Sequence, residues 1–553
     1  MPAPNTIDPV DYLYKTEPFK HQSKVFGLSR DMRNFALLMG MGTGKSKVTI
    51  DTAAYNYDRG RIDCFVIIAP KGVHRNWIEQ EIPIHMPDWT KYRAATWMSP
   101  TKSKVADRKA VERVLDPEHE GLRILAINIE AFRDSTKCPA AKMVRKLVNA
   151  FRVLMVIDES SKIKTPGSKR TMALRTLGKY VEAKRILTGT PVTQGPLDLY
   201  SQFNFLDPDI LGFDNFITFK HYFAEWQREI NMEQYRRIAA ECHARGRAVP
   251  ENAGEYETLT GYKNIEVLKK LIAPHSYRIT KEECLDLPEK VYMSRFVELS
   301  DEQRKIYNKI ARKSVIEMEG QQVAINHVLT KLLRLQQVLG GFVPIEEFGE
   351  AQPIPGPNLR IESLIDMVGE SEGKWIIWAR FRAEIVAIHA AFCKVYGPKS
   401  AVMYYGDVND DDRAEAIHRF QGRRPVIENL VRVGFEDIPE SGQARFFIGQ
   451  QHSGGFGLTL TAAENVDYYS NDFSLEARLQ SEDRAHRIGT KHVVTYIDQE
   501  APGTVDSKII TALKGKMNVA DMITEDNIRI RAAKGGGSNI ISGEVLSDLF
   551  AEI

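Results

Sequence analysis

The sequence predicts an α/β protein with two doubly wound, parallel-sheet lobes and helical insertions between them. Three observations carry that expectation. Short apolar runs come in two series, one in the first third of the chain and one after about residue 370. Longer, helix-prone segments separate the runs within each series, as the crossovers of a parallel sheet require. Only the first series carries a loop of the form GMGTGKS between a strand and a helix, which makes the two lobes unequal in chemistry.

The first series is FALLM (Phe35 to Met39), CFVIIAP (Cys64 to Pro70), RILAIN (Arg123 to Asn128), RVLMVIDE (Arg152 to Glu159) and RILTGTP (Arg185 to Pro191). Each run ends in small, polar or charged residues. In open α/β sheets ligands bind beyond the carboxyl ends of the strands, which is where these residues fall. Residues 1–208 form the expected first lobe. The texture then changes: the stretches from Phe216 to Arg247 and from Ser300 to Leu339 are polar and helix-prone. We expect helical insertions over 209–285 and 286–356, the second closing in a Gly- and Pro-rich linker from Gly340 to Pro357.

The second series is WIIWAR (Trp375 to Arg380), AVMYY (Ala401 to Tyr405), ARFFIGQ (Ala444 to Gln450), VDYYS (Val466 to Ser470) and VVTYID (Val493 to Asp498), with a surface loop within Gln421 to Gln443. It defines a second lobe over 357–520. Residues 521–553 read as a flexible tether, RAAKGGGSN, and a C-terminal helix with Val545, Leu546, Leu549, Phe550 and Ile553 on one face. That helix either docks on the body or binds a protein partner.

With 43% apolar and 27% charged residues the chain of 553 residues is of ordinary globular composition. Its net charge of +2 neither supports nor opposes a polyanionic partner, because a basic groove is compatible with acidic outer surfaces. The five cysteines are scattered without metal-ligand spacing, which fits reduced thiols. No apolar signal core or long apolar run occurs, so the expectation is a soluble cytoplasmic protein without a membrane partner.

The sharpest motif is MGMGTGKS, Met39 to Ser46. Gly42, Thr43 and Gly44 let successive backbone N–H groups point at phosphate oxygens, and the following helix adds its positive end. Lys45 would reach the β- and γ-phosphates of ATP, and the Ser46 hydroxyl would hold Mg²⁺. The strict spacing wants glycine where Met39 stands. Downstream, VLMVIDES delivers Asp158 to the Mg²⁺ shell and Glu159 to the attacking water. A single phosphate loop in two lobes suggests one nucleotide, with the second lobe supplying cations. QSEDRAHRIG, Gln480 to Gly489, offers Arg484 and Arg487, three apart and on one face if helical; alone it would equally be an exposed charged helix.

Taken together, and in this order, the elements resemble the Swi/Snf branch of the superfamily-two helicases, from about Phe19 to Leu513. FKHQ resembles the adenine-reading element, with Gln22 as reader. MGMGTGKS resembles motif I, APKGVHRNWIEQE (with Asn76 and Trp77) motif Ia, INIEAF motif Ib, DESSKIK motif II, and LTGTPVTQGPLDLYSQFNFLDP motif III. YRITKEECLDLPEK is similar to the signature between the lobes. WIIWARF resembles motif IV, YGDVNDDDRAEAIHRFQ the block after it, HSGGFGLTLTAAENV motif V, and QSEDRAHRIG motif VI. The departures are DESS where DEAH or DEGH is usual, Thr490 where Gln is usual, and Tyr277 where a second Arg is common.

The resemblance implies two RecA-like lobes and a DNA-dependent ATPase of helicase type. Such a protein would move on duplex or forked DNA without reading sequence, using ATP and Mg²⁺. It adds Gln480 to the catalytic set and Gly457 to the nucleotide-binding set. It assigns DNA contacts to Lys71, Asn128, Arg380 and Ser453, and coupling of nucleotide state to DNA grip to Thr188 and Thr190. A strand-separating helicase, or the motor subunit of a larger DNA-processing complex, shares the same motifs and stays open.

Overall fold

The computed structural model describes residues 12–71, 73–100, 103–133, 137–320, 325–343, 351–428, 431–452 and 458–524. The described part divides into two units. One contains the residues up to Phe223 together with Asn264–Asp286; the other contains Ala224–Lys263 and Leu287–Asn518.

The first unit is built on β1 (Asn34–Met39), β2 (Cys64–Ala69), β3 (Tyr92–Trp97), β4 (Leu122–Asn128), β5 (Val153–Asp158) and β6 (Ala183–Leu187). After a hairpin, β7 (Ala224–Ile230) with β8 (Glu255–Tyr262), the chain returns to add β9 (Ser276–Ile279). The sheet has seven strands in the order β3-β4-β2-β5-β6-β1-β9. Every neighbouring pair is parallel. Successive side chains point to opposite faces, so each strand feeds two cores. Ala36, Leu38, Val66, Ile68, Met155 and Ile157 meet the helices Pro139–Ala150, Lys169–Gly178 and Leu199–Leu206. Phe35, Leu37, Phe65, Ile67, Leu154 and Val156 meet Lys20–Ser29 and Lys45–Asp58. Burial on both faces is why these strands read as continuous apolar runs.

The second unit repeats the plan. Its strands are β10 (Lys290–Phe296), the short pair β11 (Phe342–Val343) and β12 (Gln352–Pro353), β13 (Lys374–Trp378), β14 (Ala401–Tyr404), the hairpin β15 (Arg423–Glu428) and β16 (Val431–Asp437), then β17 (Phe446–Gly449), β18 (Ala463–Tyr468) and β19 (Val494–Glu500). The main sheet has six strands, β10-β19-β18-β13-β17-β14, all parallel. One face buries Ile376, Trp378, Val466 and Tyr468 with Ala416 and Phe420 of Asp410–Gln421. The other buries Trp375, Ile377, Phe446 and Ile448 under Leu359–Gly369 and Arg382–Tyr396.

Both sheets bear out the α/β expectation. The middle of the chain differs from its helical reading. The stretch 209–285 also holds β7, β8 and the edge strand β9, and 286–356 holds β10, the edge strand of the second sheet. These strands are exposed or half-buried and carry charges among their apolar residues, so they lack the apolar run that marks a central strand. The Gln421–Gln443 loop contains the β15–β16 hairpin. Residues 521–524 continue the helix Val505–Thr524, and the expected tether and C-terminal helix lie outside the described residues.

Candidate nucleotide site

The sequence-predicted residues of the first unit gather at the carboxyl ends of its parallel strands. β1 ends at Met39, and Gly40 to Gly44 turn the chain into the helix Lys45–Asp58. Gly42 and Gly44 have φ of 75° and 89°, the left-handed region that glycine enters without strain. A Cβ on Gly44 would also come within 2.1 Å of Gln22 Nε2. Gly44 caps the helix with no side-chain hydrogen bond, which leaves the first helical N–H groups to a ligand's oxygens. Ser46 is the second residue of that helix. Lys45 Nζ donates to the carbonyls of Met39 (2.9 Å) and Gly40 (3.1 Å), so the ammonium lies folded over the loop that a phosphate would fill.

Gln22 sits against this loop: its Nε2 donates to Thr43 O at 3.0 Å, and its Oε1 accepts from Phe19 N at 3.0 Å. His21, which sequence reasoning did not single out, donates from Nε2 to the same Thr43 carbonyl at 2.7 Å. Its position beside Gln22 was the one available signal. The helix Lys20–Ser29 is thereby tied to the phosphate loop at two adjacent side chains.

Asp158 closes β5 and is buried. Its Oδ1 accepts from Glu159 N at 3.0 Å, and its Oδ2 accepts from the Trp77 indole at 2.8 Å. Burial pushes the Asp158 carboxyl above the usual carboxylate range, opposed by the Trp77 bond and the nearby Lys45 charge. Glu159 has φ of 52°, a conformation uncommon for a residue with a Cβ and one that clusters at functional sites.

Asp158 is level with Leu187 in the sheet, so motif III starts beside motif II and Thr188 follows directly. Thr188 N donates to Leu37 O at 3.2 Å, and its hydroxyl accepts from Thr190 N at 3.1 Å. The Thr190 hydroxyl is buried without a hydrogen-bond partner. A Cβ on Gly189 would meet Met41 Cγ at 2.9 Å, so motif III lies directly on the phosphate loop. A second link was not legible in the sequence: Ser160 Oγ donates to Gln202 Oε1 (2.7 Å), and Gln202 Nε2 donates to Pro191 O (2.7 Å) and Asp198 O (2.9 Å). The first serine of DESS thus binds motif II to the segment after motif III.

Of the residues expected at DNA, Lys71 is exposed after β2, and its backbone N donates to Glu130 Oε2 at 3.1 Å. The Asn128 side chain is already used as a helix cap, accepting from Ala131 N at 2.7 Å. Ser453 and the nucleotide candidate Gly457 lie outside the described residues.

In the second unit Arg380 is mostly buried. Its Nη1 donates to Gln336 Oε1 at 2.7 Å, and it pairs with Asp472 at 3.3 Å. Part of the five-donor guanidinium is thereby committed within the unit. Gln480 and Arg484 lie on the helix Leu475–Ala485, with Gln480 Nε2 donating to Glu476 Oε1 at 3.2 Å. That helix stops before Arg487, so the two arginines do not share a helical face as their spacing suggested. They converge instead on one carbonyl, Leu458 O, from Arg484 at 3.3 Å and Arg487 at 3.2 Å. Thr490 closes the turn: its hydroxyl accepts from Arg487 N (3.1 Å) and donates to Ala485 O (2.6 Å).

Comparison with known proteins decides the family. The SNF2-related domain matches residues 20–340, more than half of the chain. The chain belongs to the SNF2-related family. This Swi/Snf-type ATPase is 26% identical to the TATA-binding protein-associated factor MOT1 of Saccharomyces cerevisiae, over 66% of the chain and 20% of that protein. It is 23% identical to the ISWI chromatin-remodeling complex ATPase ISW2 of the same yeast, over 94% of the chain and 41% of that protein. It therefore spans between a fifth and two fifths of the length of these relatives. Among solved structures it is similar to the Sulfolobus solfataricus SWI2/SNF2 ATPase core in complex with dsDNA, at 22% identity over 94% of each chain and a TM-score of 0.36. The fold class itself is shown by the parallel strand order of the two sheets.

An ATPase of this family uses a nucleotide, typically with Mg²⁺, and the donors fit that ion. A serine hydroxyl and a carboxylate are hard oxygen ligands, and Mg²⁺ is commonly held by one or two protein oxygens together with phosphate and water. No cluster of three His, Cys, Asp or Glu side chains suited to a metal occurs among the described residues.

Proposed function

We propose that this SNF2-related ATPase couples hydrolysis to movement along double-stranded or forked DNA without reading its sequence. The observation that carries the reading is the packing of motif III on the phosphate loop, with Gly189 against Met41 and Thr188 beside Asp158. A change at the nucleotide is then felt directly by the segment that leads away from it. Lys45 binds and orients the phosphates, Glu159 takes a proton from the attacking water, and Ser46 with Asp158 would hold Mg²⁺. That ion would offset charge on the β- and γ-phosphates. Arg484 and Arg487, with Gln480 beside them, are proposed to neutralise charge as the γ-phosphate leaves. Lys71 supplies a phosphate contact, which positions DNA without specifying sequence. Ser453 and Arg380 are weaker candidates for the same role.

The test is steady-state ATP hydrolysis with no DNA, single-stranded DNA, linear duplex and forked duplex, with Glu159→Gln as the control. Stimulation by duplex or forks, followed by triplex displacement, is the expected result. Stimulation by single strands alone would replace this reading with a strand-separating helicase.

A further inference from the structure

We propose that Trp77 is a positioning residue for Asp158, and that the segment Lys71–Glu81 acts on the magnesium site through its indole. Asp158 is anchored at both oxygens, by Glu159 N at 3.0 Å and by Trp77 Nε1 at 2.8 Å. Each carboxylate oxygen has two acceptor positions, so one on each remains for the ion or its water. The two N–H donors therefore set the direction in which the carboxylate presents those positions. Trp77 is fully buried and packs edge-on against Phe65 of β2, with ring centroids 6.3 Å apart at 84°. A buried indole N–H needs an acceptor. Here it takes the one carboxylate that closes β5.

The backbone around Trp77 is unusual in a way that serves this contact. Trp77–Glu81 forms a π-helical turn between the four-residue helices Val73–Asn76 and Ile82–His85. Ile82 N donates back to Trp77 O across that turn, and Asn76 Nδ2 reaches Glu81 Oε1 at 3.4 Å. π-turns are rare and concentrate at functional sites, because the extra residue re-aims side chains. At its other end the segment begins at Lys71, whose N is held by Glu130 at 3.1 Å, and His74 N donates to Pro70 O at 3.2 Å. The helix Val73–Asn76 runs directly into the π-helical turn that carries Trp77, so a pull on Lys71, close before that helix in sequence, would be passed toward the indole.

The positioning role stands on this geometry; the link to Lys71 also rests on the reading of the chain as a DNA-stimulated ATPase. The test uses the full chain with ¹⁵N-labelled tryptophan, whose six tryptophans give six indole N–H resonances. Asp158→Asn identifies Trp77 as the resonance that moves most. Adding ADP with Mg²⁺ is expected to shift that resonance, and ADP with chelator is not. Trp77→Phe keeps the ring and removes the N–H. It is expected to need about tenfold more Mg²⁺ for half-maximal nucleotide binding, at unchanged affinity for metal-free ADP. Unchanged Mg²⁺ dependence in a folded Trp77→Phe protein would overturn the proposal. If that variant does not fold, a Trp77 resonance indifferent to Mg²⁺ would do the same. Duplex DNA is expected to shift the resonance in the wild type and not in Lys71→Ala. If DNA stimulates hydrolysis and leaves the resonance still, the link to Lys71 is wrong. If no DNA stimulates hydrolysis while the Mg²⁺ shift stands, the DNA reading fails and the positioning role survives.

Discussion

In the first unit the strand ends carry polar groups held ready for a ligand, whereas in the second a network of buried charged side chains binds within itself. Lys45 rests on two loop carbonyls, the helix behind it begins with uncapped N–H groups, and the Thr190 hydroxyl is buried unpaired. In the second unit Arg478 pairs with Glu482 and Asp498, Arg360 with Asp506, and Asn471 and Tyr292 complete the acceptors of Asp498 and Glu482. The sheets share one construction, so the difference lies in which local sequences withhold internal partners. A parallel sheet offers a place for a site; unsatisfied valence makes one.

The comparison is broken most severely at Lys45. Lys45→Ala is expected to lower ATP turnover at least about 10⁴-fold, roughly 5 kcal/mol of transition-state stabilisation, with little change in melting temperature. A variant that still hydrolyses ATP at a tenth of the wild-type rate would remove Lys45 from the site. The mirror experiment is Arg478→Met, which strands Glu482 and Asp498 in the core. It should cost about 3–5 kcal/mol of stability in the second unit. Nucleotide binding measured on the first unit should persist, and equal loss in both units would show that they unfold as one.

That contrast also marks what could be read from the sequence. Central strands such as β2 and β5 are buried on both faces, and their apolar runs were visible without a structure. β3, β9 and β10 sit at sheet edges with half-exposed faces, and their mixed composition resembled loop or helix. Lys45, Asp158 and Glu159 were legible because phosphate and metal chemistry fixes residue type and spacing. The bonds from Trp77 to Asp158 and from Ser160 to Gln202 were not, since they join residues 81 and 42 positions apart. No spacing rule reaches that far. The end of the helix before Arg487 was hidden for a local reason: Thr490 closes it by hydrogen bonds that the three-residue spacing of the arginines does not anticipate.

A pH titration sharpens the second half of the comparison. Asp467 belongs to β18 and is fully buried; burial pushes its carboxyl up to about 8, against a bond from Gln499 Nε2 to its Oδ2 at 3.0 Å. Asp467 Oδ1 and Gln499 Oε1 both lack hydrogen-bond partners. A proton on Oδ1 would remove the buried charge and give that oxygen a hydrogen to donate. The folded state then holds a proton that the unfolded chain, with an ordinary value of 3.8, releases. This contribution is fully present below about pH 4 and is lost as pH rises through about 8. The wild-type second unit should therefore melt at lower temperature at pH 9 than at pH 6, and Asp467→Asn should flatten that slope. An unchanged slope in the variant would mean that Asp467 is ionised in the fold.

The smallest expected effect lies back in the first unit, at the departure in motif II. Ser160 and Gln202 are both fully buried, so the hydroxyl's bond to Oε1 is made without competition from water. Ser160→Ala should cost about 1 kcal/mol by leaving that oxygen without its donor. Gln202→Leu should cost more, because Pro191 O and Asp198 O also lose the Nε2 group. The double variant should cost less than the sum by about 1 kcal/mol, since the shared bond is counted in both single changes. Strict additivity would mean that motif II and the segment after motif III are held together by packing alone. A coupling of the expected size would make DESS a repaired departure, in which a polar side chain placed in the core has acquired its own acceptor.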